Sequence, residues 1–265
     1  MTNIPFNSPV GRLCVTALIA VAATAAQAHD IVLEPQREGI ALRYGHAQDW
    51  QQVQDGKLVD LQLLRGSDAP QDMRAGLRPR RMDFVLPLPA GRQAALVAAR
   101  YDNGLWARLP AVGSAKAVAR NTTRVMLPEA TVVTNNLKFA KALLVSADDT
   151  VVYKRTVGHL LELVPQRNPA SLKPGEALDV LVLFKGQPQA DVEIELSNLE
   201  DVPAPDMVQR FRSDAKGMVR VTLFAKGVST LGALFERAND GSLGEASRTV
   251  GADKFVLAAT LSLLR

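Results

Sequence analysis

Apolar and polar residues alternate in short runs along most of the chain, and Gly, Pro, Asn and Asp separate the runs. Alternation with period two puts every second side chain on one face of an extended strand, so the pattern predicts an all-β protein. Predicted strands in the first half are Ile31–Glu34, Ile40–Tyr44, Leu58–Leu64, Met82–Pro87, Ala94–Tyr101, Leu105–Arg108, Arg124–Leu127, Phe139–Val145 and Val151–Arg155. The second half continues with Leu160–Val164, Ala177–Phe184, Asp191–Ser197, Met218–Phe224, Thr230–Phe235 and Lys254–Leu263. In the last of these Phe255, Leu257, Ala259, Leu261 and Leu263 share one wholly apolar face, as a sandwich core strand requires.

Turn chemistry sharpens the pattern. Asn103-Gly104 predicts a tight hairpin between the strands on either side of it, because both residues tolerate positive φ. Lys185-Gly186-Gln187-Pro188 predicts a turn between Ala177–Phe184 and Asp191–Ser197. A domain boundary is expected near Thr156–His159, giving an N-terminal sandwich over 29–157 and a C-terminal sandwich over 158–265. A short echo supports it: Val32-Leu33-Glu34-Pro35-Gln36-Arg37 resembles Glu162-Leu163-Val164-Pro165-Gln166-Arg167. Ala111–Thr123 has room for a short helix, and Asn198–Gln209 reads as a loop.

The pattern breaks at the N-terminus, where Arg12 precedes an uncharged, Ala-rich run from Leu13 to Ala26 and then Ala26-Gln27-Ala28. That order predicts a secretory signal over 1–28, cleaved before His29, and a periplasmic location. A run of this length is too short to span a bilayer, which takes about 20 residues as a helix. Cys14, the only cysteine, leaves with the signal, which excludes disulfides and thiolate metal sites from the exported chain. Loss of Arg12 lowers the formal charge of +4 by one, and what remains is spread out apart from Arg78, Arg80 and Arg81, read as a solvated face.

Candidate chemistry is sparse. HExxH, paired CxxC, GxSxG and GxxxxGK are missing, and no enzymatic activity is expected. Aromatic content is 5%, with Trp50 and Trp106 the only tryptophans, so no stacking platform for single-stranded nucleic acid is expected either. Three histidines remain: His29, His46 and His159. An N-terminal His29 would offer its α-amine and ring Nδ1 to one metal ion, and a second imidazole would complete a three-nitrogen set suited to Cu(II), Ni(II), Co(II) or Zn(II). A hairpin turning near Gln36–Arg37 pairs residues whose numbers sum to roughly 73, which puts His29 opposite Tyr44 and His46 one diagonal step away, about 7–8 Å between backbones. His159 joins only if the two domains fold back on each other. Asp30 and Asp49 are possible oxygen ligands or partners of the imidazole N–H. The plainer reading is that each histidine is a polar terminus or a packed side chain.

These residues carry a resemblance. His29-Asp30, Gly45-His46 with Trp50, Gly158-His159-Leu160-Leu161-Glu162-Leu163-Val164-Pro165, Asn168-Pro169, Lys173-Pro174-Gly175-Glu176 and Phe184-Lys185-Gly186-Gln187-Pro188 look like the bacterial domain-of-unknown-function 4198 family, which includes NikK-like periplasmic accessories of nickel and cobalt uptake. Lys138-Phe139-Ala140-Lys141-Ala142-Leu143 and Ser213-Asp214-Ala215-Lys216-Gly217 add to it. The resemblance implies two immunoglobulin-like or transthyretin-like β-sandwich domains and a secreted nickel- or cobalt-handling role, with the histidine after the signal and His159 matching the family pattern. The leading expectation is a nickel or cobalt ion held by His29 and His46, with His159 as a third candidate ligand, and a membrane uptake transporter as partner. The scarcity of histidine elsewhere departs from a metal-storage tract. Alternatives are a metal-free envelope binding module and, ranked last, a copper-dependent oxidase with an N-terminal histidine brace.

Overall fold

A computed structural model describes residues 30–46, 49–88, 94–111, 118–199, 208–241, 243 and 251–264. Among these residues the alternating runs form eighteen strands in three sheets, joined by turns and short 3-10 segments, with no α-helix. A five-stranded sheet holds β1 (Asp30–Gln36), β2 (Gly39–His46), β3 (Asp49–Gln51), β6 (Arg78–Arg80) and β7 (Asp83–Pro87). A nine-stranded sheet holds β4 (Leu58–Arg65), β5 (Gln71–Asp72), β8 (Ala95–Arg108), β9 (Val118–Arg120), β10 (Val132–Leu144), β14 (Glu193–Asn198), β15 (Gln209–Arg212), β17 (Val228–Ala238) and β18 (Lys254–Leu264). The four-stranded sheet holds β11 (Leu161–Pro165), β12 (Ala177–Phe184), β13 (Gln187–Pro188) and β16 (Met218–Thr222).

The nine-stranded sheet lies between two cores, and strand alternation sorts side chains between them. On β8, Ala95, Val97 and Ala99 enter the core under the five-stranded sheet, while Leu96 and Ala98 enter the core under the four-stranded sheet. On β10, Ala140 and Ala142 join the first core, and Phe139 and Leu143 the second. A strand buried on both faces has little room for polar residues, which is why this part of the sequence reads as almost continuously apolar.

The central sheet is shared across the predicted boundary. β10 pairs in parallel with β18, from Thr134↔Lys254 to Leu143↔Leu263, whereas every other pairing among the described residues is antiparallel. The apolar face of β18 enters the second core as its alternation predicts: Phe255, Leu257, Ala259, Leu261 and Leu263 meet Leu64, Leu96, Ala98, Phe139 and Leu143 from before residue 158.

Several local expectations are corrected. Asn103-Gly104 does not turn the chain: β8 runs straight through it, and the pairing with β10 skips from Asn136↔Gly104 to Leu137↔Asp102, leaving Asn103 as the extra residue of a bulge. Gly104 has φ +78°, Asp102 Oδ1 accepts its N–H at 2.9 Å, and Trp106 Nε1–H donates to Asn103 C=O at 3.0 Å. The positive φ that suits a hairpin also suits a bulge, and the long partner β10 selects the bulge. Arg124–Leu127 is a turn, with Thr123 C=O accepting from Leu127 N–H, and Val152–Lys154 is a 3-10 turn capped by the Asp149 carboxylate. Lys185 and Gly186, both with positive φ, do close a tight hairpin, but onto the short β13; β14 belongs to the central sheet. The part of Ala111–Thr123 that is described contains β9. Residues 112–117 and 200–207, on which the predicted helix and loop also fall, lie outside the described residues, as does the predicted signal.

Candidate functional site

The first hairpin fixes the geometry near the predicted metal site. Its turn is Arg37-Glu38, one residue later than expected, so paired numbers sum to 75: Asp30↔Gly45, Ile31↔Tyr44 and Gln36↔Gly39. Tyr44 therefore faces Ile31, which corrects the register that put it opposite residue 29. His29 lies outside the described residues. His46 ends β2 and pairs with Asp49 in a second hairpin to β3. Gly45 makes that second hairpin possible: its φ is +132°, and a Cβ there would lie 2.2 Å from the Asp49 carbonyl oxygen.

β1 lies across β10 and β18, and its first residues are anchored in the central sheet. Thr260 Oγ1 donates to the Ile31 C=O at 2.8 Å. The Asp30 carboxylate approaches the Lys138 ammonium, Oδ1 to Nζ 3.5 Å, above Gly232 on β17. Lys138 is fully buried, and its Nζ makes no hydrogen bond among the described residues. Burial lowers its pKa, with the Asp30 charge opposing the shift. Beside them Tyr44 stacks on Tyr101 at 5.4 Å between ring centroids, and burial raises the Tyr101 phenol to about 12.

His159 belongs to a different place. Its ring packs on Phe139 at 5.1 Å in the second core, with Lys141 and Arg100 nearby. The central sheet thus stands between it and His46, and the structure does not bring the two together. Burial, reinforced by the Lys141 and Arg100 charges, lowers the His159 pKa to about 3. Its Nδ1 is buried without a hydrogen-bond partner among the described residues. Next to it Lys141 Nζ donates to Glu162 Oε1 at 2.9 Å, Leu163 C=O at 3.0 Å and Arg155 C=O at 3.1 Å. Glu162 in turn accepts the Val157 and Gly158 N–H groups. Every ammonium hydrogen is used, which is the condition for keeping a buried ion pair. His159 is a packed core side chain beside that pair.

Among the described residues no three His, Cys, Asp or Glu side chains gather as a cation site. The residues that hold β1, namely Lys138, Gly232 and Thr260, went unread as site residues in the sequence. The available signal was Lys138 and Lys141 themselves, two charges in a run otherwise as apolar as a core strand.

A family model described as a domain of unknown function, DUF4198, matches residues 26–237. An uncharacterized protein of Haemophilus influenzae is 29% identical over 237 residues, which cover 89% of this chain and 92% of the relative. No helix among the described residues is long and apolar enough to cross a membrane.

Proposed function

The chain belongs to the DUF4198 family, and from that premise we propose that it is a NikK-like periplasmic accessory protein, without enzymatic activity, that binds a nickel or cobalt ion and presents it to a membrane uptake transporter. Copper and zinc would compete for the same nitrogen donors. In this reading two immunoglobulin-like or transthyretin-like halves are fused through the central sheet, the signal is cut after Ala28, and the ligands are the α-amine and imidazole of His29 with the imidazole of His46. His159, buried on the other side of the central sheet, takes no part.

The observation that carries the reading is the register of the first hairpin. Asp30↔Gly45 is the outermost described pair, and the proposal takes the register one step further, which would set position 29 against position 46. Adjacent positions across an antiparallel pair have Cβ atoms about 4.5–5.5 Å apart, close enough for two imidazoles to share an ion. The donor set fits Ni(II), Co(II), Cu(II) or Zn(II) and not Mg or Ca, which prefer oxygen. Titration of the exported protein with Ni(II) is expected to give one ion per chain, with His46→Ala losing most of the affinity. Unchanged affinity in His46→Ala would contradict the proposal.

A specific observation favours a second reading, the metal-free binding module. Val118 on β9 and Val125 and Met126 in the following turn are 50%, 80% and 67% exposed, large apolar side chains left open to solvent within nine residues of sequence. A protein that binds no metal but is retained by another envelope protein, and released by Met126→Asp, would support it.

A further inference from the structure

The basic cluster noted in the sequence acquires a definite setting on the outer face of the five-stranded sheet. Arg80 and Arg81 sit at the β6–β7 turn, where they line an open groove of about 600 Å³ together with Gln36, Arg43, Trp50, Gln51, Met82 and Asp83. That volume lies within the roughly 300–1,000 Å³ range of small-molecule sites. From it we propose that this groove binds a ring-bearing organic carboxylate, such as a uronic acid, with Arg81 as the residue that meets the carboxylate and Trp50 and Met82 as the wall for the ring.

The groove offers an anion one guanidinium that is not already paired with a carboxylate. Two of its guanidinium groups are already committed: Arg80 makes a paired contact with both Asp83 oxygens, at 3.1 and 2.9 Å, and also donates to Gln36 Oε1 at 3.2 Å. Arg43 meets Glu34 at 3.0 Å and Asp83 at 3.5 Å while lying over the Trp50 ring at 5.2 Å. Of the three arginines that line the groove, Arg81 is the one with no carboxylate partner among the described residues. Its backbone, with φ +50°, occupies the left-handed region, a conformation that costs a non-glycine residue energy. A planar guanidinium receives a carboxylate through two parallel hydrogen bonds.

The uncharged part of the groove selects a ring. Met82 is half-exposed and lines the groove with Trp50, giving an apolar wall. The Arg43–Trp50 contact holds that wall in place, so the site is formed before the ligand arrives.

The exported protein carrying Trp106→Phe keeps Trp50 as its single tryptophan, and its emission reports on the groove. Titration with glucuronate is expected to give a saturable change that is at least about tenfold weaker in Arg81→Gln, equivalent to about 1.4 kcal/mol, while glucose gives none. A galacturonate trimer that binds more tightly than the monomer identifies a unit of an acidic polymer as the source, and equal binding a free acid. If Trp106→Phe fails to fold, the Trp50 indole N–H resonance of the unsubstituted protein follows the same titrations. Equal responses to glucose and glucuronate, a response only to inorganic phosphate, an unchanged Arg81→Gln variant, or no saturable response to either uronate would overturn the proposal.

Discussion

His159 shows what burial does to one titratable group. In the unfolded chain an imidazole has a pKa near 6.5, whereas packing against Phe139 beside Lys141 and Arg100 lowers it to about 3 in the folded protein. Between those values the unfolded chain takes up a proton that the folded one refuses. The stabilisation is therefore complete above about pH 6.5 and is lost as pH falls toward 3, at up to about 1.4 kcal/mol per pH unit. Urea unfolding at about pH 7 and pH 5 should show that loss in the native protein and a smaller one in His159→Phe. The neighbouring ion pair predicts a larger effect. Glu162→Gln leaves the Lys141 ammonium buried without its counter-charge, and should lower stability by about 3–5 kcal/mol in the same assay. The sequence offered a packed side chain as the plainer reading of His159, but not which core would hold it or that Lys141 and Glu162 would pair beside it, because that depends on the pairing of β10.

Elements were more legible than their connections. The runs Ala177–Phe184 and Lys254–Leu263 identified β12 and β18 as strands, and the alternation of β18 also identified the face that enters the second core. Connections failed where a local signal admits two outcomes, as at Asn103-Gly104. Positive φ there predicts a hairpin in isolation, and only the length of β10, invisible before its pairing is known, turns it into a bulge. Gly104→Val should accordingly cost about 1–3 kcal/mol of stability in denaturant unfolding, since φ is +78° and a Cβ would lie 3.2 Å from Asn121 Oδ1. A neutral result would mean that the bulge is not needed to carry β8 past β10. The first hairpin shows the same sensitivity at its turn: a shift of one residue moved every pairing sum by two, from 73 to the observed 75.

For the whole molecule, the all-β class followed from the sequence, but the shared sheet did not. Parallel pairing of β10 with β18 joins residues more than a hundred positions apart, and period-two alternation says nothing about which strands become neighbours. Its consequence is that the second core includes Leu64, Leu96, Ala98, Phe139 and Leu143 from the first half. A fragment covering 158–265 alone would expose that face, so it should fail to fold, and the intact chain should unfold in one transition by calorimetry. Two separate transitions would show that the halves are energetically independent. The anchoring of β1 by Lys138 and Thr260 ties this architecture to the proposed metal site, because it holds Asp30 and Ile31, which follow the proposed ligand His29 in the sequence. The direct test is calorimetric titration of Ni(II) into protein that starts at His29 and into the same protein with Gly-Ser added before it. One ion per chain in the first, binding more tightly at about pH 8 than at about pH 6 because the nitrogen donors must shed protons, and a loss of affinity in the second are the expected results. Equal affinity in the two proteins would contradict the proposal that the chain's own end group holds the metal.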